Sequence, residues 1–173
     1  MKKNKILIAI IVILVLVVAV LALMNRDLLA GKQGLVDNPG IAVKAGGEEV
    51  AKVYLDEIRS LGEEEFPIVL RSSGKEPRDL ILTGVPLKRV LQQVDPTLLD
   101  GKEQVTVRAI DGYTVAYSMD EVLDESHLFV VYLEGGEPLG SKNEGGSGPL
   151  MIVPRKDEFG QRWCKFAVEV EVN

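Results

Sequence analysis

Seven basic side chains fall in two short groups of an otherwise acidic chain: Arg71, Lys75 and Arg78, then Arg155, Lys156, Arg162 and Lys165. Such groups bind anions, and arginine does so through a planar fork that matches the oxygens of a phosphate or carboxylate. If the fold brings both groups to one cleft, their mutual repulsion must be offset by a bound anion or by nearby carboxylates. The plainer reading of Arg155 and Lys156 is charge balance with Asp157 and Glu158 in a solvated turn.

Other residues able to do chemistry are few. The chain has one cysteine and one histidine, Cys164 and His127. Cys164 lies in the alternating run 162–172, sharing a face with Phe166, Val168, Val170 and Val172. That is the core face, and a small buried thiol is the ordinary use of a free cysteine. Being alone, it forms no internal disulfide. His127 follows Asp124, Glu125 and Ser126 and is expected to be exposed where a strand begins. No Cys-x-x-Cys or His-Glu spacing marks a zinc or iron site, and no Gly-x-Ser-x-Gly elbow supports a hydrolase. The sequence therefore assigns no catalytic residue and no metal ligand. Six glycines between Gly135 and Gly148 make a flexible loop without the spacing of a phosphate loop.

The elements that must position these residues are mostly strands. Phe66 to Arg71, Gln104 to Ile110, Tyr113 to Tyr117, His127 to Leu133, Leu150 to Val153 and Arg162 to Val172 are strand candidates. Asp111-Gly112 between two of them is a hairpin turn, since both residues tolerate positive φ. A helix is expected over Val85 to Val94, with Pro86 in its first turn and Leu87, Val90, Leu91 and Val94 on one face. Ser118 with Glu121 three residues later makes a capping box for a short helix ending near Leu123. Ile41 to Leu61 is ambiguous. Val50, Val53, Tyr54, Ile58 and Leu61 fit a helical face, whereas Gly46-Gly47 between two apolar runs fits a hairpin. Many strands with a few short helices give an α+β domain.

At the N-terminus, Ile6 to Met24 are nineteen consecutive apolar residues, enough to cross the ~30 Å hydrocarbon core of a bilayer as a helix. Lys2, Lys3 and Lys5 precede them, and the positive-inside bias keeps that end cytoplasmic and sends the rest outward. The rival is a cleaved signal peptide, whose apolar region is usually only ~7–15 residues long. The expected organisation is a tip and transmembrane anchor over 1–24, a linker over 25–40 and one domain over 41–173. The protein is then a single-pass plasma-membrane protein with an extracytoplasmic domain, and other membrane proteins are natural partners. Setting aside the three lysines leaves 17 basic against 26 acidic residues, which disfavours nucleic acid and anionic lipid surfaces as partners.

Four motifs in fixed order carry a family resemblance: Thr83-Gly84-Val85-Pro86-Leu87, Asp111-Gly112-Tyr113, Gly135-Gly136-Glu137-Pro138-Leu139 and Gly148-Pro149-Leu150-Met151-Ile152-Val153-Pro154. The strand-like Arg162-Trp163-Cys164-Lys165-Phe166 closes the series. In this order and spacing, residues 40–173 resemble the oxidoreductase molybdopterin-binding domain, the fold of the sulfite oxidase family. The resemblance implies a mostly β, α+β domain with a mixed sheet, and a hairpin rather than a long helix over 41–54. It also implies a molybdopterin cofactor, held at positions matching Arg71, Ser72, Ser73, Arg155, Arg162 and Lys165, with its phosphate on basic side chains and backbone amides. The family usually places a molybdenum-ligating cysteine before the Gly-Val-Pro-Leu motif. Here that stretch is Val69-Leu70-Arg71-Ser72-Ser73-Gly74-Lys75, and a serine hydroxyl is a poor substitute for a soft thiolate. Met151 also stands where the family often has arginine. Two functions follow. The domain is a binding or scaffold module for a small anion or pterin that has lost redox chemistry. Alternatively, it is an oxidoreductase in which molybdopterin binds and the metal is held by the dithiolene alone or with an unusual ligand such as Ser72, Ser73 or Cys164.

Overall fold

Glycine pairs, prolines and capping boxes fix where this chain turns. The computed structural model describes residues 11–21 and 38–173, which belong to two units, Met1–Asp37 and Asn38–Asn173. In the first, residues 11–21 form helix α1, and its large aliphatic side chains are exposed. Among the described residues no helix is long and apolar enough to cross a membrane. The expected anchor runs past α1 at both ends, into residues 6–10 and 22–24 outside the described ones.

The second unit is mixed α+β, mostly sheet with short helices. Strands β1 (Gly40–Ala45) and β2 (Glu48–Tyr54) form the hairpin expected around Gly46-Gly47, followed by α2 (Leu55–Ser60). Then come β3 (Glu64–Leu70), β4 (Arg78–Pro86), α3 (Leu87–Val94), β5 (Gln104–Ala109) and β6 (Thr114–Ser118). The chain continues through α4 (Met119–Leu123), β7 (Leu128–Glu134), β8 (Glu137–Pro138), β9 (Met151–Pro154) and β10 (Ala167–Val172). One sheet has the order β2-β1-β10-β5-β6, with β1 parallel to β10 and its other pairs antiparallel. The other runs β3-β4-β7-β8, with β9 also paired to β7.

Alternation along β7 shows how the second sheet is buried on both faces. Leu128, Val130 and Tyr132 enter a core shared with β1, β5, β10 and α3, while Phe129 and Val131 enter a smaller core with Phe66, Leu82, Met151 and Trp163. Each fully buried aliphatic side chain contributes roughly 1.5–3 kcal/mol. Within the Thr83-Gly84-Val85-Pro86-Leu87 motif, glycine is needed for close approach. A Cβ on Gly84 would stand 2.5 Å from the Val130 carbonyl oxygen, beside a register shift in the β4–β7 pairing. Pro86 then caps α3, which buries Leu87, Val90 and Leu91.

Two sequence expectations need correction. Arg78 to Pro86 is a strand, not a basic approach to a helix beginning at Val85; the run Leu80-Ile81-Leu82-Thr83 is apolar enough to bridge β3 and β7. The last strand starts only at Ala167. Phe166 adopts a left-handed φ of 55°, unusual for a bulky residue, and this breaks the two-residue alternation. Cys164, Val170 and Val172 are buried as expected, but so are Trp163 and Ala167, while Phe166 and Val168 are only half-buried.

Candidate functional site

The segment after β9 carries the charged residues singled out in the sequence, and two anchors hold it in place. The Arg155 backbone N–H donates to the His127 carbonyl at 2.7 Å, and the Gly160 N–H donates to the Arg71 carbonyl at 3.0 Å. The second anchor lays the segment across the end of β3. Between them opens a cleft of about 870 Å³, in the upper part of the range for ligand pockets, roughly 300–1,000 Å³. Its apolar lining is Pro67, Ile68, Val69, Leu80 and Ile81. Its charged lining is Arg71, Asp79, Arg155, Asp157 and Glu158.

The two basic groups therefore do meet, through Arg71 and Arg155. Arg71 stands 4.0 Å from Glu158, and both are well exposed. The Arg155 guanidinium lies over the Phe66 ring, 4.8 Å from its centroid. The other positions expected to hold a cofactor are elsewhere. Ser72 and Ser73 are exposed in a turn closed by the Lys75 N–H on the Ser72 carbonyl. Lys165 is exposed and does not line the cleft. Arg78 pairs with Glu134 and Lys156 with Asp124.

Arg162 turns away from the cleft into a charged clamp. Its Nε and Nη2 hold Asp157 in a bidentate pair at 2.7 and 2.5 Å, and Nη2 also reaches Glu121 Oε1 at 2.8 Å. The Tyr117 hydroxyl donates to the Arg162 carbonyl at 2.5 Å. Burial raises the Glu121 carboxyl, but Arg162 and the Ser118 backbone and hydroxyl outweigh it and hold that group down at about 2. Asp157 and then Glu121 push the Arg162 guanidinium above its ordinary value.

His127 completes the clamp and corrects the expectation of an exposed residue, since it is only 6% exposed. Its local neighbours are solvated, but the Lys156 backbone folds over it from 29 residues away. The Lys156 N–H donates to Nδ1 at 3.3 Å, so the hydrogen-bond pattern assigns the proton to Nε2. Nε2 faces Glu121 Oε1 at 3.3 Å and Asp157 Oδ1 at 3.8 Å. Glu121, His127 and Asp157 bring their ligand atoms within 4.8 Å of one another, a spacing suited to a metal ion. Arg162 already supplies the cation there, and His127 turns its N–H rather than a lone pair inward. The cluster is a strut for the segment after β9. Sequence reasoning missed it because its members come from α4, the start of β7 and that segment.

The usual way of holding a molybdenum–pterin group that the resemblance implies is a cysteine thiolate on the metal and net positive charge at the phosphate. Cys164, the chain's single thiol, is fully buried in the larger core, and burial followed by the nearby Asp111 charge pushes it up to about 12. It does not line the cleft. The cleft's two arginines stand among three carboxylates. The residues present do not fit that arrangement.

No protein-family model matches the sequence, and no curated protein matches it. Among solved structures, the sulfane dehydrogenase SoxCD from Paracoccus pantotrophus is similar in fold, with a TM-score of 0.60 and 13% identity. The match covers 77% of this chain but 37% of that one, so the chain spans little more than a third of that structure's length. At this identity the likeness is one of fold: a distant sulfite-oxidase-like arrangement, of the kind the order of motifs implied.

Proposed function

We propose that the chain is a membrane-anchored, extracytoplasmic binding module, using a sulfite-oxidase-like fold to hold a ligand at the β3–β4 cleft rather than to run redox chemistry. The observation that supports this most is the placement of the only thiol. Cys164 is sealed in the core while Ser72 and Ser73 occupy the exposed turn where the family resemblance placed a metal ligand. A protonated, buried thiol is neither nucleophile nor ligand. The rival is an oxidoreductase whose metal is held by the dithiolene alone or with Ser72, Ser73 or Cys164. Protein purified from a host that makes the pterin cofactor is expected to contain well under one molybdenum per chain. Elemental analysis near one per chain selects the rival.

Anchoring rests on the nineteen apolar residues Ile6 to Met24 and the lysines before them. Protease added to spheroplasts is expected to remove the domain. Full protection, or a mature protein beginning after residue 24, defeats this part of the proposal.

A further inference from the structure

The two faces of the β3–β4 pair are not equivalent at the cleft. In the register Phe66 lies across from Leu82 and Ile68 across from Leu80, and these four side chains share the face of the smaller core. Pro67, Val69, Asp79 and Ile81 alternate with them and belong to the opposite face. On the first face Arg155 is seated over Phe66, and Gly160 packs against Leu70 so closely that a Cβ there would clash. That leaves Ile68 and Leu80 as the apolar floor beside Arg155, with Arg71, Asp157 and Glu158 as the other charges lining the cleft from the segments that flank it.

Among those charges one is unmatched. Asp157 is held by Arg162, which does not line the cleft, and Glu158 is the counterpart of Arg71 at 4.0 Å. Among the described residues, Arg155 has no carboxylate within 4.0 Å. The Phe66 ring under it offsets the charge only in part and offers no oxygen to its N–H donors. A lone guanidinium in such surroundings suits a single negative charge, because the second charge of a phosphate would meet the repulsion of Asp157 and Glu158. A carboxylate also matches the guanidinium fork.

The apolar floor sets what the carboxylate is attached to. Side chains on one face of a strand repeat every two residues, so Ile68 stands ~7 Å from Phe66, the ring beneath Arg155. A carboxylate on Arg155 therefore carries a tail of about five carbons onto the Ile68 and Leu80 pair. Ile68 is half-buried there and gains from a further apolar cover. Resting on the cleft being the ligand site, we propose that it binds a small monocarboxylate with an apolar tail, the carboxylate on Arg155 and the tail along Ile68 and Leu80.

The test uses the full chain in maltoside micelles, with hexanoate, hexan-1-ol and hexyl phosphate as probes and saturation-transfer NMR as the readout. Hexanoate is expected to bind about tenfold tighter than either of the others. Arg155→Gln is expected to abolish that preference while leaving hexan-1-ol unchanged, a selective loss that neither misfolding nor partition into micelles produces. Each methylene removed between hexanoate and butanoate is expected to weaken binding about two- to fourfold. If Arg155→Gln lowers the melting temperature, Arg155→Lys is read instead, with a loss of about fivefold expected because the fork is gone. Equal affinity for hexanoate and hexan-1-ol, tighter binding of hexyl phosphate, or no dependence on tail length overturns the proposal. So does equal hexanoate affinity in parent and variant, or no saturable hexanoate binding at all. Stoichiometric molybdenum would defeat the binding-module reading. A molybdenum-free chain that does not hold hexanoate through Arg155 would defeat this inference alone.

Discussion

Arg155 and Arg162 bound one eight-residue stretch and put the same side chain to opposite uses. Arg162 is fully engaged, with two carboxylates and an aromatic face at Tyr117. Among the described residues, the Arg155 guanidinium is held by an aromatic face alone. Satisfied charge in a half-buried site rigidifies and specifies, whereas a positioned but uncommitted charge retains interaction energy for a partner. The clamp therefore reads as structure, while the cleft keeps a charge free for the ligand proposed above, although the sequence presents both as basic residues near acidic ones.

The sharpest way to break that comparison is to truncate Arg162. Arg162→Ala leaves Glu121 and Asp157 adjacent without their cation. It is expected to lower stability by about 2 kcal/mol, the scale of charged hydrogen bonds reduced for partial exposure. Urea unfolding followed by the fluorescence of the single tryptophan, buried Trp163, measures it. A loss under about 0.5 kcal/mol, the level of an ordinary surface change, would mean the clamp is only surface charge.

Acid probes the same cluster more gently. Glu121 is held at about 2 against an ordinary 4.5. A carboxyl depressed on folding stabilises above its unfolded value, so its contribution is complete above pH 4.5 and fades as pH falls toward about 2. Glu121→Gln is expected to cost about 1 kcal/mol at neutral pH and to flatten the loss of stability across that window. Parallel pH profiles for the variant and the parent would remove Glu121 from the account.

The smallest effect belongs to the cleft. Arg155→Ala is expected to change stability by less than about 1 kcal/mol, the size of an exposed cation–π contact. A loss equal to that of Arg162→Ala would make Arg155 a strut as well, and the contrast would fail.

Elements with local causes were legible in the sequence. The Ser118–Glu121 capping box and the Asp111-Gly112 turn depend on residues within a few positions of one another, whereas the Gly46-Gly47 hairpin was ambiguous from its residues and favoured only by the family resemblance. The β4 strand was hidden because its first residue, Arg78, reads as part of a basic group and its last, Pro86, as the start of a helix. In the site, the sequence marked Arg71 and Arg155 but scattered them among positions that turn out exposed, such as Ser72, Ser73 and Lys165.

By itself the sequence determined the α+β class and the order of the motifs, because periodicity and turn chemistry act over short spans of chain. Tertiary structure alone decided what each charge does. His127 is buried because a backbone 29 residues away covers it, and Arg162 leaves the cleft because α4 presents Glu121 on one side while Asp157 closes the other. Electrostatic energy depends on distance and burial in space, which spacing along the chain does not encode.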